Sequence, residues 1–102
     1  MADRNVTLNY GPKGVVPYPD PIRVRKGHTI SFRMGEGPPA AKVRITFNDA
    51  SSFSQKQFTE GDPDIKVTAD LAKPTTYDCD LVIDGEVQPR PKGTSGGGVQ
   101  PD

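Results

Sequence analysis

Apolar and polar residues alternate along several stretches of the chain. In residues 5–10, NVTLNY, one face carries Val6, Leu8 and Tyr10 and the other carries polar side chains. The same alternation runs through PIRVRKGHTISFR, KVRITFND, DIKVTADL and TYDCDLVI. A period of two, in segments rich in β-branched and aromatic residues and bounded by Gly, Pro or Asp, is typical of half-buried strands. No segment sustains the 3.6-residue apolar repeat of a helix, so the sequence predicts an all-β protein.

Five or six strands with one polar face each predict two packed antiparallel sheets, that is, a β-sandwich. We expect NDASSFSQKQFTEG to form a loop with at most a short helical turn, and Phe53 and Phe58 to plug one end of the core. The expected inward set comprises Val6, Leu8, Tyr10, Ile22, Val24, Ile30, Phe32, Val43, Ile45, Phe47, Ile65, Val67, Tyr77, Cys79, Leu81 and Ile83.

The chain has 102 residues, which suits one domain. Residues 1–88 are predicted to form the sandwich. Residues 89–102, PRPKGTSGGGVQPD, carry almost no apolar side chains, and we expect a disordered Gly/Pro-rich tail because such a segment buries too little surface to offset its ordering entropy. Residues 11–21, GPKGVVPYPDP, are predicted to form a loop because proline cannot donate to a sheet ladder, with Tyr18 folded back onto the sandwich.

The N-terminal segment MADRNVTLNY contains no apolar signal region, and no stretch of the chain is long and apolar enough to span a bilayer. A single cysteine cannot form an internal disulfide. These features predict a cytoplasmic protein with no membrane partner, unless a signal has been removed. The net charge is +0, so no general attraction to nucleic acid or to an anionic surface is expected.

Three phrases of the sequence resemble a cupredoxin-like domain. PIRVRKGHTISFR resembles that family's V-x-x-G-x-x-I-x-F hairpin, and GPPAAKVRITFND resembles its P-H-x-V-x-F segment. TTYDCDLVI resembles the Y-x-Y-x-C strand, or Y-x-Y-x-V-x-V-D-G in copper-free relatives. The resemblance covers residues 21–83 and implies a Greek-key sandwich in which KVRITF lies beside YDCDLVI. An immunoglobulin-like sandwich fits the same pattern nearly as well.

The resemblance does not extend to the copper ligands. A type 1 copper site requires two imidazoles and one thiolate, whereas this chain has one histidine and one cysteine. The family's upstream histidine would fall at Ala40 to Lys42, and residues 80–102 contain neither histidine nor methionine. We therefore expect no metal and no cofactor, and a copper-binding electron-transfer protein remains a disfavoured alternative.

Few residues suggest catalysis. Cys79 shares its strand phase with Tyr77 and Leu81, so we expect a buried thiol that behaves as a small hydrophobe. His28 is predicted to be a solvated turn residue, and no serine lies in a nucleophile-elbow pattern. With no general base and partner to assign, the sequence predicts that the protein is not an enzyme and offers no small-molecule substrate.

Acidic turns provide a weak calcium hypothesis. TEGDPD supplies Glu60, Asp62 and Asp64, and IDGE supplies Asp84 and Glu86. Calcium binds clusters of oxygen ligands, but neither stretch matches an EF-hand loop, and aspartate is common in turns for conformational reasons. The turn interpretation is therefore preferred.

Charge is distributed unevenly along the chain. Residues 22–48 contain six bases and one acid, and residues 49–86 contain nine acids and three bases. In the first reading, the outward bases form a binding face for phosphate, nucleic acid or an acidic partner. In the second, preferred reading, Lys42 and Arg44 face Asp78 and Asp80 across a ladder and neutralise them. The bases concerned are Arg23, Arg25, Arg33, Lys42 and Arg44.

These observations rank three functions. The first is a non-catalytic, metal-free interaction module that contacts another protein through edge strands and the Pro-rich loops at 11–21 and 35–41. The second is the copper protein, and the third is an anion or nucleic-acid binder that uses the basic strand face. Nucleic acid is disfavoured because no exposed aromatic residues are expected between the arginines.

Overall fold

The computed structural model describes residues 3–11, 14–88 and 96–102 and contains ten strands in this part of the chain. The alternating segments form most of them, as predicted. The strands are β1 (Arg4–Gly11), β2 (Gly14–Tyr18), β3 (Ile22–Val24), β4 (Thr29–Met34), β5 (Lys42–Phe47), β6 (Gln57–Thr59), β7 (Ile65–Lys66), β8 (Thr75–Ile83), β9 (Glu86–Val87) and β10 (Gly96–Pro101).

The strands form two sheets, which confirms the all-β sandwich. Sheet A has the order β2-β1-β4-β7, and sheet B has the order β3-β10-β8-β5-β6 with β9 paired to β8. Both sheets are mixed rather than purely antiparallel, because β1 runs parallel to β4 and β10 runs parallel to β3. Side-chain alternation determines which face of a strand is buried, but it carries no information about the direction of the neighbouring strand.

The core lies between the sheets and is rich in aromatic residues. Phe32 of sheet A packs edge-on against Tyr77 of sheet B, with ring centroids 5.1 Å apart. Phe53 stacks on Phe47 at 4.1 Å, and Phe58 is also buried, which confirms that both phenylalanines join the core, although Phe58 lies in β6 rather than in the predicted loop. Tyr10, near the end of β1, was predicted to face the core, but its side chain is 38% exposed, so this prediction was wrong.

The C-terminal segment corrects the predicted tail in part. Residues 89–95 lie outside the described residues, whereas residues 96–101 form β10 between β3 and β8. Val99 is fully buried. A Cβ placed on Gly97 would lie 2.5 Å from Tyr77 Oη and 2.8 Å from Pro17 Cγ, so this strand packs where only glycine fits. The composition of this segment predicts disorder because it has few apolar side chains to bury. That argument does not take into account that a glycine backbone can itself pack closely against neighbouring side chains.

The predicted loop at 11–21 also contains a strand. Gly14–Tyr18 forms β2 at the edge of sheet A, where Pro17 lies opposite Leu8 of β1. Proline is tolerated at this position because an edge strand has a ladder on one side only. Tyr18 does not fold back onto the sandwich, since it is 75% exposed on the outer face.

Candidate functional site

Cys79 is a core residue. Its side chain is fully buried and forms no disulfide, as the strand phase predicted. β5 and β8 are neighbours, as the resemblance implied, and the ladder places Cys79 opposite Ile45. Ala41, in the segment where the cupredoxin pattern has its upstream ligand, lies four residues before Ile45, which corresponds to about 13 Å along a strand. The thiol therefore lies in the middle of β8 and away from that segment.

Two residues of the acidic turns, Glu60 and Asp62, accept hydrogen bonds from the backbone. Glu60 Oε1 accepts hydrogen bonds from the nitrogens of Met34 and Val43, at 3.1 and 3.4 Å. Asp62 Oδ2 accepts one from the nitrogen of Thr59 at 2.8 Å. Within the described ranges, no group of three or more His, Cys, Asp or Glu side chains could hold a metal ion.

His28 completes the turn between β3 and β4. Its backbone nitrogen donates to the Arg25 carbonyl at 3.1 Å, and its ring nitrogen Nδ1 lies 3.3 Å from the Arg25 nitrogen. The His28 carbonyl accepts from the Val67 nitrogen at 2.8 Å. These contacts give His28 a structural role in an exposed turn, in which its own side chain is half-buried.

The pKa shifts in the structure also arise from structural contacts. The pKa of the Tyr77 hydroxyl is raised by burial in the core, where the oxygen has no hydrogen-bond partner among the described residues. The pKa of Asp49 is lowered by the hydrogen bond from the Ser51 nitrogen. Tyr77 is enclosed in the core, whereas Asp49 lines an open hollow together with Asp70 and Lys73, and the charge of Lys73 also lowers the pKa of Asp49.

The structure distributes the five predicted bases over four locations. Arg23 lies on β3 and the pair Lys42 and Arg44 lies on β5, all in sheet B, but β10 and β8 separate these strands by about 14 Å. Arg25 lies in the turn after β3, and Arg33 lies on β4 of sheet A. One continuous basic face is therefore not formed, because strand phase predicts outward orientation but not which sheet a strand joins.

The cross-strand charge prediction is correct for one pair. Arg44 lies opposite Asp80, as expected. Lys42 lies opposite Val82, and Asp78 lies opposite Thr46, so the second predicted pair is not formed in the ladder.

The outer face of sheet A carries a platform, defined here by Thr7, Asn9, Val16, Tyr18 and Arg33. Thr7 pairs with Tyr18 on one side and with Arg33 on the other, so these three side chains lie in one row across β2, β1 and β4. Asn9 pairs with Val16 in the next row. Tyr18 is 75% exposed and Val16 is 43% exposed.

The second row of the platform is held in place by backbone contacts. Asn9 Oδ1 accepts a hydrogen bond from the Glu36 nitrogen at 2.7 Å, and the Gly35 nitrogen donates to the Leu8 carbonyl at 2.7 Å. A Cβ on Gly35 would collide with the Asn9 amide and lie 2.6 Å from Thr7 Cγ2. The glycine therefore allows the loop after β4 to lie close against β1 and orients the asparagine.

Sequence reasoning missed the platform. It expected no aromatic residue beside the arginines, yet the ladder places Tyr18 in line with Arg33, fifteen positions later in the chain. The row exists because β1 pairs with β2 on one side and with β4 on the other. No local pattern indicates this order; the only available signal was the alternation of GVVPY within the proline-rich segment.

Comparisons with protein-family models, curated proteins and solved structures find no match for this chain. No helix within residues 3–11, 14–88 and 96–102 is long and apolar enough to cross a membrane.

Proposed function

We propose that this chain is a non-catalytic, metal-free module that binds another protein through the platform on the outer face of sheet A. The observation that carries this proposal is the exposure of Tyr18 in a cross-strand row with Arg33. Three of the four exposed large hydrophobic side chains of the described chain belong to β1 and β2, namely Tyr10, Val16 and Tyr18.

The composition of the platform suits a protein partner. Tyrosine and arginine are enriched in the energetically dominant positions of interfaces, whereas lysine, glutamate and aspartate are depleted in interface centres. The two paired rows contain no lysine or acidic residue, and small polar side chains separate the aromatic ring from the guanidinium. A partner that presents an apolar surface to Tyr18 and a carboxylate to Arg33 would be complementary.

Face-to-face contact is preferred over strand addition at β2. Pro17 cannot donate to β1, so the pair Leu8 and Pro17 is a non-hydrogen-bonded one and the backbone of Pro17 is directed to the free edge. The free edge thus lacks an N–H group where an added strand would need a donor. Of the two predicted contact segments, 11–21 supplies Val16 and Tyr18 of the platform through β2, and the backbone of Gly35 and Glu36 in 35–41 lies against β1, which supports the same surface.

Sheet topology supports a metal-free cupredoxin-like domain over an immunoglobulin-like one. An immunoglobulin sandwich consists of two antiparallel sheets, whereas both sheets here contain a parallel pair. The neighbouring β5 and β8 agree with the resemblance. The position of Cys79 inside the ladder, opposite Ile45, weighs against the copper-protein alternative.

Site-specific crosslinking tests the proposal. A photoreactive amino acid is placed at Tyr18 and, as a matched control, at Gln57, which is exposed on the outer face of sheet B. In extract from the native cell, we expect a defined crosslinked protein from position 18 and none from position 57. The affinity of that protein is then measured for wild type, Tyr18→Ser, Arg33→Gln and Lys42→Gln.

Tyr18→Ser should weaken binding at least about tenfold, which corresponds to about 1.4 kcal/mol. Arg33→Gln should weaken binding and reduce its salt dependence, and Lys42→Gln should leave both unchanged. Equal crosslinking from positions 18 and 57, or full affinity in Tyr18→Ser, would show that the platform is not the contact surface.

A further inference from the structure

A hollow of about 380 Å³ opens on the outer face of sheet B, on the opposite side of the molecule from the platform. Its lining includes Lys42, Arg44, Thr59, Val82, Asp84 and Gly85. Its size falls within the range of small-molecule sites in proteins, which begins near about 300 Å³. The hollow is formed by β5, its neighbours β6 and β8, and the turn that follows β8.

The two cations of the hollow are held on the outer face by the core. Val43 and Ile45 are fully buried, so alternation directs Lys42 and Arg44 outward from the same strand. Their Cα atoms are about 7 Å apart because they are two residues apart along β5. Thr59 of β6 lies directly opposite Arg44 and can contribute its hydroxyl beside the guanidinium.

Arg44 carries an unmet hydrogen-bonding requirement. Its Nε atom is buried and has no hydrogen-bond partner in the part of the chain that the structure describes. A buried donor without an acceptor costs about 1–3 kcal/mol. Because this Nε is closed off from the hollow, a ligand there would meet the two terminal nitrogens of Arg44, which also form parallel donors whose spacing matches the two oxygens of a carboxylate.

The remaining lining distinguishes between classes of anion. Val82 is buried at the floor of the hollow and provides an apolar contact. Asp84 lies at the hollow, and Asp80 lies opposite Arg44 in the ladder. Two cations and two carboxylates leave these surroundings without net charge, so a dianion such as phosphate gains no electrostatic advantage over a single carboxylate.

We propose that this hollow binds a small monocarboxylate with an apolar body, with Arg44 gripping the carboxylate, Lys42 adding charge and Val82 contacting the apolar part. The site is separate from the platform and does not depend on the proposed protein partner. Compared with the anion-binding hypothesis drawn from the sequence, this site uses two of the five basic residues, and its ligand is a carboxylic acid instead of a nucleic acid.

Titration of the isotope-labelled protein, followed by amide chemical shifts at constant ionic strength, tests this site. The probes are benzoate, acetate and inorganic phosphate. We expect saturable benzoate binding with a Kd of about 1 mM or below, with shifts centred on Lys42, Arg44, Thr59 and Gly85. Acetate should bind more weakly because it lacks a body that reaches Val82, and phosphate should bind more weakly than benzoate.

Substitutions separate a specific site from general charge attraction. Arg44→Gln should raise the benzoate Kd at least about tenfold, and Arg44→Lys should recover only part of the affinity. Arg33→Gln, on sheet A, is the matched control and should have no effect. If Arg44→Gln alters the fold, as judged from its spectrum, Lys42→Gln provides the second variant. It removes one weaker charge contact and should raise the benzoate Kd about threefold.

Three results would overturn the proposal: no saturable shifts with benzoate, unchanged benzoate affinity in both Arg44→Gln and Lys42→Gln, or phosphate binding at this site as tightly as benzoate. The first would mean that the hollow beside Arg44 holds only water. The last would mean that the hollow selects charge rather than a carboxylate.

Discussion

Asp3 shows how one exposed side chain couples stability to pH. Its carboxylate accepts hydrogen bonds from the backbone nitrogen and the hydroxyl of Thr29, at 2.9 and 3.2 Å, which joins the residue before β1 to the start of β4. The bond from the Thr29 nitrogen lowers the pKa of Asp3 below its ordinary value of 3.8. Ionised Asp3 therefore stabilises the folded state above that value, and this contribution is lost as pH falls through the lowered folded pKa.

We expect Asp3→Asn to destabilise the protein at about pH 7 and to have a smaller effect at about pH 3, where the wild-type carboxylate is largely protonated in the unfolded chain. Urea unfolding midpoints at both pH values measure this difference. Asp64→Asn, at another exposed position, is the control. An equal loss of stability for Asp3→Asn at both pH values would contradict the hydrogen-bond explanation.

Residue-level prediction from the sequence succeeded where strand phase alone decides the outcome. Cys79, Phe32 and Phe47 are buried as expected because each occupies the apolar phase of its strand. Tyr18 was placed wrongly because its orientation depends on the edge strand β2, which the sequence presents as a proline-rich loop. Arg44 was predicted to be outward, but its buried Nε depends on neighbours from other strands.

At the level of elements, β10 is the clearest test of the fold. Gly97 faces inward in phase with Val99 and lies against the Tyr77 ring and Pro17 of β2. Replacing Gly97 with valine would force side-chain atoms into space that these groups occupy, and overpacking of this kind typically costs about 1–3 kcal/mol. We expect Gly97→Val to lower the urea midpoint accordingly.

The matched control for Gly97 is Gly11, because a Cβ built there has no atom within 4 Å and its φ is not positive. Gly61 is less suitable, because its positive φ of 103° adds backbone strain to any substitution. Gly11→Ala should have little effect, and Gly97→Ala should already be destabilising. Similar stability of Gly97→Val and wild type would indicate that β10 does not pack against Tyr77 as described.

The sequence predicts the existence of most strands but not the pairing that builds the candidate sites. The alternation in TTYDCDLVI and KVRITF predicts β8 and β5, and the resemblance predicts their contact. The parallel pairs β1–β4 and β3–β10 join segments far apart in the chain, and no local propensity encodes them. The platform and the hollow both depend on such pairing, so neither could be assembled from motifs.

At the scale of the whole molecule, the sandwich needs links between its sheets besides the apolar core. Glu60 provides one, because a single oxygen of its carboxylate accepts hydrogen bonds from Met34 at the end of β4 and from Val43 in β5. These strands belong to sheet A and sheet B respectively. Glu60 is half-buried, so water only partly replaces the acceptor when the side chain is removed.

We expect Glu60→Ala to destabilise the whole sandwich by about 1–3 kcal/mol, because two part-buried N–H groups lose their acceptor. Glu60→Gln keeps an amide oxygen in the same place and should lose less. Glu86→Ala, at an exposed position on β9, should change stability by less than about 0.5 kcal/mol.

Urea unfolding, followed by tyrosine fluorescence and far-ultraviolet circular dichroism, measures these differences. Because the apolar core still joins the two sheets in Glu60→Ala, both signals should shift together with an unchanged slope. A midpoint equal to that of Glu86→Ala would remove Glu60 from the account of stability.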